Sequence, residues 1–543
     1  MIVVEKLKIK NYKCFRDFEI KFNDSVNIIV GNNDEGKSTI LEAIQLCLSG
    51  MLNGRALLTD VSENLFNIET VKEYTESLKT DTKKSLPTIL IEVFLKTNDL
   101  PMFEGDGNSD RVKSCGVLFK ICFNDEYQEE YTALLKSGGV KSIPVEYYKI
   151  ERFSFARTAV TNRGIPLKSI LIDSSSNRFQ NGSDVYISKI IKESLDEKEL
   201  IALAQSYRRL KDDFESETSI QNINKKISDN ASITDKKVSI AIDMSVKNSW
   251  QTVLMTYIDD VPFHQIGKGE QCIIKTNLAL ANTKAQTSNL VLLEEPENHL
   301  SHVMLNELLN KINKTCIGKQ LIITTHSNFV ANKLYLKNLI LLANQSVINF
   351  NELPEDDANY FEKLPGYDTL RLILSKRAIL VEGPSDELIV QRAYKDKYNK
   401  LPIEDGVDII SVRGLSFKRF LNLAKRLNNK VVVVTDNDGN YETKIKKKYQ
   451  AYNNINSIKI CASDNNSLKT LEPQFVEANN NDLANIRSLI GISVDKYPSK
   501  ENISAYMESN KTEWALKVFN SEYTYNYPKY ILDAINWIHE ERK

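Results

Sequence analysis

"GNNDEGKST", residues 31 to 39, fits the pattern G-x-x-x-x-G-K-[ST]. The apolar run "VNIIV" precedes it and the helix-like "KSTILEAIQLCLSG" follows, the strand–loop–helix setting that separates a phosphate loop from a chance match in a turn. Such a loop needs backbone N–H groups that close around an anion. Gly31 and Gly36 permit the turn, and the helix N-terminus faces the phosphates. Lys37 is then expected at the β- and γ-phosphates of a nucleotide and Ser38 at its Mg²⁺, with Asn32, Asn33 and Thr39 completing the cradle.

Working outward, "VEKLKIKNYKCFRDFEIKFNDSVNIIVG" alternates apolar and polar residues through two runs before its buried end, which predicts two antiparallel strands and then a buried one. Residues 55–85 are polar and helix-like, and 86–98 and 115–124 read as strands. Residues 175–245 are charged, helical in period and poor in Gly and Pro, the composition of an inserted helical arm.

Further parts of a nucleotide site follow downstream. "NLVLLEEPENHL" (289–300) is an apolar strand ending in two acids, Glu294 to help hold Mg²⁺ and Glu295 to orient or activate water; unpaired buried charge there would be costly. "LIITTHSNFV" (321–330) puts His326 at the end of a neighbouring strand. A lone His is more often a satisfied polar residue, but this setting favours sensing of the γ-phosphate. "IGKGEQCIIKTNLALA" (266–281) opens a helix with Gly267, Gly269 and Glu270.

Residues 351–369, acidic and with two Pro and a Gly, mark a domain boundary. After it "AILVEG", "VDIISV" and "KVVVVTD" are short buried strands alternating with helices, the pattern of a parallel α/β sheet. "RAILVEGPSDELIV" (377–390) places Glu382 and Gly383 where a strand gives way to a turn and Asp386 in the next helix. "VVVVTDNDGN" (431–440) repeats the construction with Asp436 and Asp438. Period-2 geometry sends these two to one side of the chain, where like charges call for a divalent cation with oxygen ligands. The alternative is an Asx-rich turn after a strand.

Composition narrows the function classes. A chain of 543 residues suggests two or three domains. Seven scattered Cys without a CxxC pair fit reduced thiols, and no signal segment or membrane span is visible, so a cytoplasmic protein without membrane attachment is expected. Residues 371–543 hold 27 Lys and Arg against 22 Asp and Glu, a mild basic bias that a solvated Lys face explains as well as a DNA surface.

The phosphate loop, Glu294–Glu295, His326 and "GKGEQ" together resemble ABC-type ATPases of the Rad50 and SMC branch. In that family the signature helix, here with Gly269, caps the nucleotide of a facing protomer, which implies a homodimer or higher homo-oligomer. Glu294 stands where most members have Asp, "GKGEQ" lacks the leading Ser, and no Gln in 86–98 marks a Q-loop; these departures favour sensing or slow switching over a motor. The helical segment is too short for a DNA-tethering rod. The E-G, strand, D-x-D-G order resembles the Toprim domain of topoisomerases, primases and nucleases, which makes Glu382 a metal ligand or general base and Asp386, Asp436 and Asp438 metal ligands.

An ATPase of this kind joined to a Toprim domain resembles the OLD (overcoming lysogenization defect) nucleases, relatives of the Gabija nuclease subunit and of retron-associated nucleases. By that resemblance Glu472 in "SLKTLEPQFV" is a further ligand, and Lys511 in "SNKTEWALKVF" stabilises charge on the scissile phosphate. The expected fold class is α/β: an N-terminal ABC-type (Rad50/SMC-like) P-loop ATPase with a helical insertion, then a C-terminal Toprim domain with a parallel sheet. The expected division is 1–174 and 246–365 for the ATPase, 175–245 for the insertion, a dimerisation arm, and 371–543 for the nuclease. The resemblance implies a metal-dependent DNA endonuclease or nickase controlled by ATP in bacterial anti-phage defence. It further implies ATP with one Mg²⁺ or Mn²⁺, two further ions at the Toprim acids, double-stranded DNA as substrate, and a helicase or retron reverse transcriptase complex as a candidate partner. ATP-dependent DNA or partner binding with a vestigial Toprim site is the alternative; topoisomerase and primase chemistry is a weaker third.

Overall fold

The computed structural model describes residues 1–543 other than 53–54, 58–60, 81–82, 98–99, 138–139, 163, 174–178, 181–182, 185–194, 231–239, 241–254, 282–287, 334–335, 344, 351–355, 358–367, 413–416 and 541–543. The chain divides into two compact units, Met1–Leu334 with Asn338–Asn349, and Tyr335–Lys337 with Phe350–Lys543.

In the first unit, β1 (Val3–Tyr12) and β2 (Phe15–Lys21) form an antiparallel pair with Ile9 opposite Phe18, as their alternation predicts. β3 (Val26–Gly31) leaves that pair and ends in the phosphate loop, which hands the chain to α1 (Lys37–Ser49). β4 (Ile89–Lys96), β5 (Ser114–Phe123) and β6 (Tyr148–Ser154) extend the first sheet in the order β2-β1-β4-β5-β6. A second sheet is built around β3 from β7 (Ser169–Asp173), β8 (Leu290–Glu294), β9 (Gln320–Thr324) and β10 (Leu339–Ala343). Its order is β7-β8-β9-β3-β10, all parallel, with β11 (Ser346–Asn349) antiparallel at the edge. Covered on both faces, its strands read as unbroken apolar runs such as "LVLL" and "LIIT". α1 packs between the sheets through Ile40, Leu41, Ile44 and Leu48, which belong to one core with both. α2 (Glu197–Ser216), begun by a capping box of Asp196 and Glu199, and α3 (Thr218–Asn230) pack together; the rest of the 175–245 segment lies largely outside the described residues. α4 (Lys268–Ala281) and α5 (His302–Thr315) complete the frame of this site.

The second unit holds four parallel strands, β12 (Arg377–Val381), β13 (Val407–Ser411), β14 (Lys430–Val434) and β15 (Ile458–Cys461), in the order β13-β12-β14-β15. α6 (Pro384–Tyr398), α7 (Phe417–Leu427), α8 (Leu471–Ala478), α9 (Lys511–Asn520) and α10 (Lys529–His539) cover them. Four of these helices share one core with the strands through Tyr394, Phe475, Trp514 and Ile531. From β12 the chain runs one way to β13 and the other way to β14. The strand order therefore reverses between β12 and β14, the switch point at whose carboxyl ends ligands bind in sheets of this kind. No helix among the described residues is long and apolar enough to cross a membrane, and all seven cysteines are free thiols.

Candidate functional site

Two constellations stand at the carboxyl ends of parallel strands, one in each unit. At the first, Gly36 takes φ +93°, and a Cβ there would fall 2.5 Å from the Phe15 ring, so both conformation and space require glycine. Lys37 is buried at 5% exposure, and its Nζ donates to the carbonyl oxygens of Gly31 (3.1 Å) and Asn32 (3.0 Å). Burial pushes its pKa down, against the opposing fields of Glu295, Glu35, Glu297 and Asp34. The ammonium is thus held on the loop's own carbonyls, from which an anion of higher charge can draw it. Asn32, Asn33 and Ser38 are exposed, and Thr39 is buried beneath them.

Glu294 ends β8 beside Asp173 of β7, its register partner. Burial raises the Glu294 carboxyl above its ordinary pKa while a hydrogen bond from Ser38 lowers it, so the two expected Mg²⁺ groups do meet. Glu294 and Glu295 are only partly buried, which relaxes the cost of placing two acids together. Glu295 adopts φ +39°, its N–H donates to Thr324 O (3.0 Å), and its Oε1 lies 3.1 Å from His326 Nε2. Asn298 Nδ2 donates to its other oxygen at 3.0 Å.

Glu297 was not foreseen. Its Oε1 accepts from the Thr325 hydroxyl (2.6 Å) and from the backbone N–H of His326 (2.8 Å) and Ser327 (3.1 Å), fixing the turn that carries His326. Its position two residues past Glu295 is the only signal the sequence carries. Gly269, in the first turn of α4, lies against the His299 carbonyl, where a Cβ would sit 2.5 Å from the oxygen, so a close approach within this chain also requires that glycine.

At the second constellation Glu382 follows β12 directly and Asp436 follows β14 by two residues, adjacent strands at the point where sheet order reverses. Asp386 lies in the first turn of α6 and accepts the Gly383 N–H at 3.1 Å. Glu472 on α8 is 2% exposed. Burial, then the charges of Glu382 and Glu472, push Asp386 up to about 7. Burial, then Asp386, Glu382, Glu472 and Asp438, push Asp436 up to about 9. These mutual fields bring the five acids into one neighbourhood.

The strand ends at Val434, so period-2 alternation does not set the directions of Asp436 and Asp438; the loop does. Asn437, fully buried, makes the turn: its Nδ2 donates to the carbonyls of Ser463 and Asn465 at 2.9 Å each, and its Oδ1 accepts the Gly439 N–H at 2.8 Å. The turn chemistry therefore belongs to the residue between the aspartates. Asp438 is exposed at φ +46° with Lys444 Nζ 3.6 Å away. Thr435 gives its hydroxyl to Glu382, which also accepts the Asp436 N–H at 3.0 Å. Lys511 is exposed at the start of α9, and among the described residues it shows no ion pair with the acids.

The donor set is all carboxylate oxygen, the chemistry of Mg²⁺ and Mn²⁺ sites. Asp436 Oδ1 is buried with no hydrogen-bond partner, an acceptor whose desolvation is uncompensated within the chain. The residues fit a divalent cation in kind and charge. They do not yet form a coordination sphere, since no group of three His, Cys, Asp or Glu among the described residues is gathered closely enough to hold an ion as it stands.

Comparison with known proteins gives the following. The family model for the overcoming lysogenization defect protein-like Toprim domain matches residues 373–438, which include Glu382, Asp386, Asp436 and Asp438 but not Glu472 or Lys511. An AAA ATPase domain model matches 1–93, and an AAA domain model of the AbiEii, type IV toxin–antitoxin kind matches 194–332. The DNA replication and repair protein RecF of Alkaliphilus oremlandii is 28% identical over 109 residues, 19% of this chain and 28% of that protein. The DNA double-strand break repair Rad50 ATPase of Archaeoglobus fulgidus is 43% identical over 51 residues, 9% of this chain and 6% of that protein. The match thus spans only a minor part of each curated relative. Among solved structures, the recombination mediator RecF with ATP covers 64% of this chain and 99% of its own at 10% identity and a TM-score of 0.33. The C-terminal region of the Burkholderia pseudomallei OLD protein covers 30% of this chain and 97% of its own at 19% identity and a TM-score of 0.25.

Proposed function

From the premise that the chain is an ATPase–Toprim fusion of the overcoming lysogenization defect family, we propose that it is a divalent-metal-dependent DNA endonuclease or nickase whose activity is set by ATP in the N-terminal unit, serving anti-phage defence. The observation that carries this reading is the meeting of Glu382, Asp386, Asp436 and Glu472 at the switch point of the sheet, with Asp436 pushed up to about 9 by burial and then by the charges of the others. Four like charges at a partly buried site are stable together only when protonated or neutralised by a cation. One or two bound divalent ions supply charge stabilisation for a phosphodiester and lower the pKa of the attacking water. Glu382, Asp386, Asp436, Asp438 and Glu472 are the ligand set. Glu382, oriented by the Thr435 hydroxyl and the Asp436 N–H, is also the proton acceptor, and Lys511 the group that offsets charge on the phosphate.

At the nucleotide site Lys37 and Ser38 bind ATP and its cation, Glu294 completes the cation site, Glu295 holds water, and His326, steadied by Glu295 and Glu297, reads the γ-phosphate. The helical insertion at 175–245 is the dimerisation arm, and Gly269 caps the nucleotide of a second copy. Partner complexes with a helicase or a retron reverse transcriptase belong to the same proposal.

Plasmid cleavage by wild type and by the Asp436→Ala, Asp438→Ala double variant, in Mg²⁺ and in Mn²⁺, with and without ATP, tests the reading. Cutting that the double variant loses is expected. Intact plasmid with wild type under every nucleotide and partner condition overturns it. The lack of a formed three-ligand group among the described residues favours one other reading, ATP-dependent DNA or partner binding with a vestigial Toprim site, for which Mn²⁺ would bind weakly.

A further inference from the structure

A buried polar atom without a partner in the folded chain calls for an explanation, a water or an ion that it can bond among them. Tyr530 carries such an atom. It lies on α10, which packs against β14, β12 and β15, the strands whose loops carry the acids. The residue is 6% exposed, and its hydroxyl is buried with no hydrogen-bond partner. Burial raises its phenol well above the ordinary value, and the charges that act on it next are those of Asp436, Asp386, Glu382 and Glu472, in that order. Asp436, the nearest of these in effect, has its own orphan in the same region, the acceptor Oδ1. Tyr530 thus offers an unpaired donor and Asp436 an unpaired acceptor, on a helix and a loop that belong to the same packed strands.

We propose that Tyr530 is a positioning residue of the carboxylate site, its hydroxyl donating to Asp436 Oδ1, directly or across one buried water, once a divalent cation has neutralised the cluster. The inference rests on the metal-site reading above and adds the residue that fixes the orientation of one ligand. A ligand carboxylate has two oxygens, and a hydrogen bond to one of them holds the other on the ion. The ring of Tyr530 belongs to the shared core of the unit, so Tyr530→Phe keeps the packing and removes only the donor. Its burial in that core also keeps the hydroxyl from reaching a DNA strand as a nucleophile.

Mn²⁺ binding to the full chain without DNA or ATP, read by electron paramagnetic resonance, is the test, with the melting temperature in chelator beside it. Tyr530→Phe is expected to weaken Mn²⁺ binding about tenfold or more, to melt in chelator at or above wild type, and to gain less from added Mn²⁺. Tyr525→Phe removes a hydroxyl from the same core, where it neighbours Ser521 at 3.4 Å, and is expected to bind Mn²⁺ as wild type does. Unchanged affinity in Tyr530→Phe overturns the inference, whatever its melting temperature, and so does an equal loss in both Tyr variants. Equal Mn²⁺ binding by wild type and Asp436→Ala overturns the metal-site reading itself. Loss in Asp436→Ala with no change in Tyr530→Phe overturns only the role of Tyr530.

Discussion

Asp436→Asn is expected to stabilise the metal-free protein while destroying its response to metal. An aspartate in an unfolded chain titrates near ~3.9, whereas burial and four neighbouring acids push Asp436 up to about 9. Between those values the folded chain holds a proton that the unfolded chain has released, so stability in chelator falls as pH rises from about 4 to about 9. At pH 7 the difference of roughly three units is worth about 4 kcal/mol as a ceiling. Asp436 is only partly buried, and water entry with rotation of the carboxylates leaves on the order of 1–2 kcal/mol. Asn carries no such titration, so the C-terminal unit of the variant should melt about 3–6 °C higher at pH 7. The gap should be smaller at pH 5 and larger at pH 9. Calorimetry in chelator at the three pH values measures it, and a repeat with Mn²⁺ should raise the wild type and leave the variant where it was. A variant that melts at or below wild type at pH 7, with the same pH slope, refutes the argument that these carboxylates repel one another in the folded chain.

Lys37→Ala is expected to weaken ATP binding at least tenfold in a fluorescent-nucleotide titration. The same protein sets the sign of control, since cutting that is lost means ATP drives it and cutting that ignores nucleotide means ATP restrains it. Glu297→Gln loses the charge that accepts three donors around His326; phosphate release should slow about tenfold while ATP affinity stays within about twofold. Arg392, 6% exposed, donates to the carbonyls of Val518, Phe519, Ser521 and Tyr523 and pairs with Asp396 at 2.7 Å. Arg392→Ala should therefore cost the C-terminal unit about 3–5 kcal/mol in urea unfolding.

The elements legible in the sequence are those whose surroundings impose a simple period. β3, β8, β9, β12 and β14 are covered on both faces and read as apolar runs, and each active loop begins where such a run stops. β6 escapes because six of its seven residues are half-buried, which leaves no alternation to read. β7 and β15 are fully buried at only one of five and two of four positions, so neither shows the continuous burial that makes an apolar run legible. Glu382, Asp386 and Asp436 were visible because each follows or flanks a buried strand. Glu472 is a candidate through the family resemblance alone, because its place on α8 depends on packing between segments distant in sequence. Tyr530 and Glu297 carry no local signal for the same reason. Asn437 was hidden by its neighbours, since Asn and Asp are equally good turn formers and only the fold decides which one makes the turn.

The two constellations obey one placement rule with opposite sign. Both lie where parallel strands end, the first offering N–H groups and Lys37 to an anion, the second offering only carboxylate oxygen. A nucleotide can therefore enter the first site carrying its own charge, but a nucleic-acid phosphate meets like charge at the second. It can approach only after a cation has reversed the local field, or together with one. For the nuclease proposed above, electrostatics at the acids then favours a cation bound before or together with DNA. Apparent DNA affinity at the acids should accordingly rise with Mn²⁺ concentration in wild type and lose that dependence when Asp436 and Asp438 are both Ala.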